Sequence, residues 1–154
     1  MKRVLFVCLG NICRSPMAEA IFRKKVAEQG LSDTITIDSA GTGNWHVGKP
    51  PHEGTRSILD DYQVSYSGMK ARQVIQEDLQ SFDYIIAMDA ENIGVLRSMA
   101  GHQKTGEIAR LLDFLPESDI ADVPDPYYTG NFEEVYELVN ASCDNLLDYI
   151  KKSL

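Results

Sequence analysis

A chain of 154 residues, 44% hydrophobic and 25% charged, has the size and balance of a single folded domain spanning 1–154, which excludes a disordered or fibrous protein. Fifteen Lys and Arg against 23 Asp and Glu leave a formal net charge of −8 with no basic run, so no nucleic acid partner is expected, and an anionic ligand would need a local trap of backbone N–H groups and an arginine. Cys8, Cys13 and Cys143 are too few and odd in number for a disulfide framework, which points to a reducing cytoplasm, and neither they nor the scattered His46, His52 and His102 have metal-ligand spacing.

Lys2 and Arg3 precede an apolar stretch that imitates a signal peptide, but Asn11 and Arg14 interrupt it, and Ala18-Glu19-Ala20 resembles a cleavage site only by accident. No segment approaches the ~20 apolar residues that span a membrane, so a soluble protein is expected. Val4-Leu5-Phe6-Val7-Cys8 is a continuous apolar run that predicts a strand buried on both faces. Pro16 suits the first residue of a helix, and Ala18, Ile21, Phe22 and Val26 follow at helical spacing up to Gly30.

Thr34 to Asp38 alternates as a second strand, and Ser39 to Pro51 reads as a long loop rich in glycine and proline that carries Trp45, the one tryptophan. A helix is predicted from His52 to Asp61, a third buried strand from Asp83 to Met88, and a helix from about Ala90 to Met99, followed by a weaker apolar run at Ala109 to Leu115. Val123 to Gly130 is a turn-rich loop. Beyond it Phe132, Val135, Tyr136, Val139, Cys143, Leu146, Leu147 and Ile150 mark a long amphipathic helix, in which Cys143 is a packing residue. Alternating strands and helices predict an α/β fold. Its open parallel sheet of about four strands has helices on both faces and takes ligands at the carboxyl ends of the strands.

Cys8 lies at such an end. Five residues separate it from Arg14, and Ser15 and Pro16 follow at once. A loop of this length between the first strand and the first helix can curl so that its backbone N–H groups converge on one point at the helix start, making a phosphate-binding loop. The N–H groups of Leu9, Gly10, Asn11, Ile12 and Cys13 are the candidates, and Arg14 adds a planar fork suited to two phosphate oxygens. Such surroundings favour the thiolate of a cysteine, its nucleophilic form. A core cysteine would explain neither the arginine nor the spacing.

Cys8-Leu9-Gly10-Asn11-Ile12-Cys13-Arg14-Ser15-Pro16 resembles the fingerprint of the low-molecular-weight protein tyrosine phosphatases. The likeness extends to Ser39 through Trp45, to Met88-Asp89 and to Asp125-Pro126-Tyr127-Tyr128. It implies hydrolysis of phosphotyrosine proteins or small aryl phosphates in two steps through a phosphocysteine, with no metal or other cofactor; with no spanning segment no membrane partner is expected, and a monomer is the expected state, though the sequence leaves oligomerisation open. Read alone, Asp125-Pro126 is turn chemistry; the resemblance makes Asp125 the acid that protonates the leaving oxygen, presented from a loop stiffened by Pro124 and Pro126.

By the same resemblance Ser15 donates to the Cys8 thiolate, Asn11 braces the loop, and Ser39, Asp89 and Asn92 are supporting polar positions. Trp45, Tyr127 and Tyr128 would wall a slot for a phenyl ring, and Cys13 could pair reversibly with Cys8 to protect it from over-oxidation. Three other chemistries fit less well. Arsenate reductases that share this loop need two more cysteines near the third strand, and Phe82 to Asn92 contains none. The protein-arginine phosphatases place a threonine where this chain has Ile12, and a phosphocysteine carrier would have no use for Asp125.

Overall fold

The computed structural model describes residues 1–154. Four parallel strands, β1 (Lys2–Cys8), β2 (Ile35–Gly41), β3 (Tyr84–Ala87) and β4 (Glu107–Arg110), lie in the order β2-β1-β3-β4. β1 is central and buried from Val4 onward. Its side chains alternate, with Val4, Phe6 and Cys8 packed into one core and Leu5 and Val7 into a second on the other face. Burial on both faces is what a run without alternation requires.

Helix α1 (Arg14–Glu28) joins β1 to β2 and shares the first core with α2 (Glu53–Asp61) and α6 (Phe132–Lys151). On the other face α3 (Asp78–Ser81) and α4 (Ala90–Ala100) contribute Leu79, Leu96 and Ala100 to the second core. Because β1 has β2 on one side and β3 on the other, the sheet order reverses at its carboxyl end, opening a crevice beside Cys8. A one-turn α5 (Pro126–Thr129) stands before α6. No helix is long and apolar enough to cross a membrane.

Several boundaries differ from the sequence reading. α1 begins at Arg14, so Pro16 is its third residue; the missing N–H still costs nothing because the first-turn donors have no partners within the helix. Ser39, Ala40 and Gly41 belong to β2 rather than to the loop, in register with Phe6, Val7 and Cys8. His52 caps α2, its Nδ1 accepting from Gly54 N–H at 2.9 Å. The apolar run at 109–115 divides between the edge strand β4 and a 3-10 turn, Leu111–Phe114.

Candidate active site

The segment that leaves β1 is pressed against β2. A Cβ on Gly41 would stand 2.8 Å from Leu9 O and 3.1 Å from Asn11 N, so only glycine leaves room for the loop. Asn11 takes a positive φ of 56°, a conformation that asparagine tolerates better than most residues. Its side chain fixes the turn. Oδ1 accepts from Arg72 N–H at 2.9 Å, while Nδ2 donates to Ser15 Oγ at 2.8 Å and to Ser39 Oγ at 3.0 Å. Ser39 Oγ in turn donates to Glu19 Oε1 at 2.6 Å.

Cys8 Sγ sits at the floor, 3.0 Å from Ser15 Oγ and 3.3 Å from the N–H of Asn11. The backbone N–H groups of Leu9, Gly10, Ile12, Cys13 and Arg14 donate to no other group of the chain. Main-chain donors this close to a helix start ordinarily find partners, and a row without them suits an anion. Arg14, 3% exposed, donates from Nη1 to Asp89 at 2.7 Å and to Val123 O at 3.0 Å, and from Nη2 to Asp125 at 3.4 Å. Its Nε is buried without a partner. Burial works against the guanidinium charge, but the negative charges at Cys8, Asp125 and Asp89 outweigh it and raise the Arg14 pKa above the ordinary arginine value.

Two one-residue caps aim the carboxylates. Asp89 opens α4 with Oδ1 accepting from Asn92 N–H at 2.8 Å, which leaves Oδ2 for Arg14. Asp125 opens α5 with Oδ1 accepting from Tyr127 N–H at 3.1 Å and Oδ2 turned to Arg14. The N–H of Val123 donates to Met88 O at 2.9 Å, tying the 123–125 loop to the end of β3.

Cys8, Leu9, Gly10, Ile12, Cys13, Arg14, Trp45, Asp125, Tyr127 and Tyr128 line one cavity of about 330 Å³, so residues expected from widely separated segments meet there. Asn11 and Ser15 do not line it; they lie behind the loop and reach Cys8 instead. Trp45 folds back over Gly43, where a Cβ would overlap its ring. Burial first, then the charges of Cys8 and Asp125, push the Cys13 thiol up to about 12, against the opposing pull of Arg14 and Thr55. Cys143 lies wholly in the core, where burial raises its pKa as well.

Sequence reasoning missed Glu19, Arg72 and His46. Glu19 is 4% exposed and stands four residues after Ser15 and four before Arg23, which donates to it from Nε at 2.8 Å; that i, i+4 spacing was its visible signal. Arg72 pairs with Asp38 and Asp78 and lends its backbone to Asn11. His46 lines the cavity beside Gly10 and Tyr127.

The family model for low molecular weight phosphotyrosine protein phosphatases matches residues 3–154. Low molecular weight protein-tyrosine-phosphatase YfkJ of Bacillus subtilis is 64% identical over 152 residues, 99% of this chain and 97% of that protein. Its crystal structure superposes with a TM-score of 0.97, covering 99% and 96% of the two chains. PtpA of Staphylococcus epidermidis, described in the same words, is 51% identical over 152 residues, 99% of this chain and 96% of its own. A likeness that runs from β1 through α6 includes both the Cys8 loop and the distant Asp125, and the chain belongs to the low molecular weight phosphotyrosine protein phosphatase family.

Proposed function

We propose that this chain is a protein tyrosine phosphatase that hydrolyses phosphotyrosine and other aryl phosphate esters through a phosphocysteine, without a metal. The row of backbone N–H groups that donate nowhere else in the chain, set around Cys8 Sγ, carries this reading. In the proposed mechanism the Cys8 thiolate attacks phosphorus in line, forming the S–P bond as the P–O bond to the phenol breaks, and Asp125 protonates the departing oxygen. The loop N–H groups and the Nε–Nη2 edge of Arg14 hold the equatorial oxygens, because Nη1 is already engaged by Asp89 and Val123.

In the second step the Asp125 carboxylate takes a proton from a water molecule as that water attacks phosphorus. The S–P bond breaks, inorganic phosphate leaves and the thiolate returns. Ser15 and Asn11 act on Cys8 rather than on substrate, and the charge carried by backbone and arginine does the work a metal does in other phosphatases. Trp45, Tyr127 and Tyr128 flank the aryl ring, and apolar Ile12 favours a phenyl group over a guanidinium.

Hydrolysis of p-nitrophenyl phosphate, phosphotyrosine and phosphoarginine by the purified protein in EDTA tests the reading. Turnover of both aryl esters with little turnover of phosphoarginine is expected. Activity that requires an added divalent ion, or a preference for phosphoarginine, would overturn it.

A further inference from the structure

Arg14 is buried at the floor of the cleft, where the proposed mechanism gives its free Nε–Nη2 edge to the reacting phosphate, so a second negative group on a substrate has to be met at the mouth. The net charge of −8 makes the molecule as a whole repel such a group. Residues 39–52 nevertheless contain no Asp or Glu, and they include His46 and Lys49. The His46 ring stands on the shoulder of the Cys8 loop, where a Cβ on Gly10 would lie 3.0 Å from its Cδ2, and its centroid is 6.2 Å from that of Tyr127.

Lys49 Nζ lies 3.3 Å from His46 Nδ1. An ammonium can only donate, so the contact places the Lys49 positive charge beside the imidazole ring. Neither side chain is in an ion pair with a carboxylate of the chain. The backbone beneath them is fixed, with Lys49 N–H on His46 O at 2.9 Å, Gly48 N–H on Ala71 O at 2.8 Å, Ala71 N–H on Lys49 O at 2.8 Å and His52 N–H on Ile12 O at 2.7 Å. With the backbone fixed, the Lys49 side chain next to the cavity-lining His46 has less freedom to lose on binding than one on a free loop.

We propose that His46 and Lys49 form an anion-accepting rim that selects phosphotyrosine carrying a second anionic group nearby, either an acidic side chain or another phosphate of the same peptide. The proposal rests on the phosphotyrosine reading above and adds the sequence context that the enzyme prefers. The Lys49 side chain is solvent-exposed, so the expected effect is that of one exposed charge pair, roughly two- to fivefold in kcat/KM. It falls with salt as screening shortens to about 3 Å near 1 M.

The test compares kcat/KM for phosphotyrosine peptides in which a single Asp, Gln or phosphoserine is placed at each of the two positions on either side, with p-nitrophenyl phosphate as the substrate that has no flank. In the wild type, Asp or phosphoserine at one or more positions is expected to exceed Gln, and the two arms separate carboxylate from phosphate recognition. Lys49→Gln should erase that preference and Lys49→Glu reverse it, with p-nitrophenyl phosphate turnover unchanged. Equal turnover of acidic and neutral peptides, or a preference retained by Lys49→Glu, would overturn the rim while leaving the phosphatase reading intact. Failure to hydrolyse any phosphotyrosine peptide would overturn both.

Discussion

At the floor of the cleft Cys8, Cys13 and Arg14 are 2%, 4% and 3% exposed, whereas Trp45, Tyr127 and Tyr128 at its mouth are 65%, 53% and 76% exposed. The floor is held by hydrogen bonds, Arg14 to the α4 cap Asp89 and the 123–125 loop, and Asn11 behind it to β2. The side chains of the mouth rest on other rings and on their own loop, Tyr127 against Tyr128 at 5.3 Å and His52 at 5.9 Å, and Trp45 across Gly43. Bond making at phosphorus needs fixed distances and a dry environment, while admission of a flat ring needs surface that can adjust. On the proposed mechanism these demands are separated in space, so substitutions in the two regions should differ in kind as well as in size.

Removing the proposed nucleophile should produce the largest effect. Cys8→Ser is expected to abolish turnover of p-nitrophenyl phosphate while retaining binding of a phosphate analogue such as vanadate, measured by calorimetry, because the hydroxyl offers no comparable anion. Hydrolysis near the wild-type rate would dismiss Cys8 from the chemistry. Asp125→Asn should slow hydrolysis by roughly 10²–10⁴-fold with little change in binding. The loss should shrink across substituted phenyl phosphates as the leaving phenol becomes more acidic, and a uniform loss across that series would reduce Asp125 to a cap for α5.

At the mouth, Trp45→Ala should raise KM for aryl phosphates by about two- to tenfold, the scale of one aromatic contact, and leave kcat nearly intact. An equal fall in kcat would mean that the mouth also positions the reacting atoms, erasing the contrast with the floor. The smallest effect concerns Cys13. With its thiol pushed up to about 12, almost no thiolate forms at neutral pH, and the thiolate fraction grows only as pH climbs towards that value. Iodoacetamide at pH 7 should therefore alkylate Cys8 and spare Cys13 and Cys143, as read by peptide mass spectrometry. Labelling of Cys13 at a rate matching Cys8 would show that the two floor cysteines are not electrostatically distinct.

Much of the floor could be read from the sequence because its signal is local. Cys8, Arg14 and Ser15 fall within eight consecutive residues, and the long apolar stripe of α6 announces itself by period alone. β4 was harder to see, since an edge strand of four residues with only partly buried side chains has no apolar signature. α5 is a single turn within a segment whose composition indicates turns. Arg72 and Asp78 gain meaning only when the fold brings Asp38 and Asn11 to them across 34 and 61 positions, and Glu19 reads as a surface residue until β2 buries it against Ser39. His46 was one of three scattered histidines until its loop was laid along Gly10.

The hydrogen bonds of Arg14 also say something about how the enzyme comes to exist. Its partners Asp89, Val123 and Asp125 lie 75, 109 and 111 positions further along the chain. Contacts closed over such spans are non-local and require the intervening chain to be in place before they can form. A nascent or partly opened chain can therefore possess β1, its loop and α1 while its arginine still lacks every carboxylate that aims it. The complete arginine site therefore arrives with the last third of the polypeptide, which makes turnover a stricter measure of completed folding than helix content.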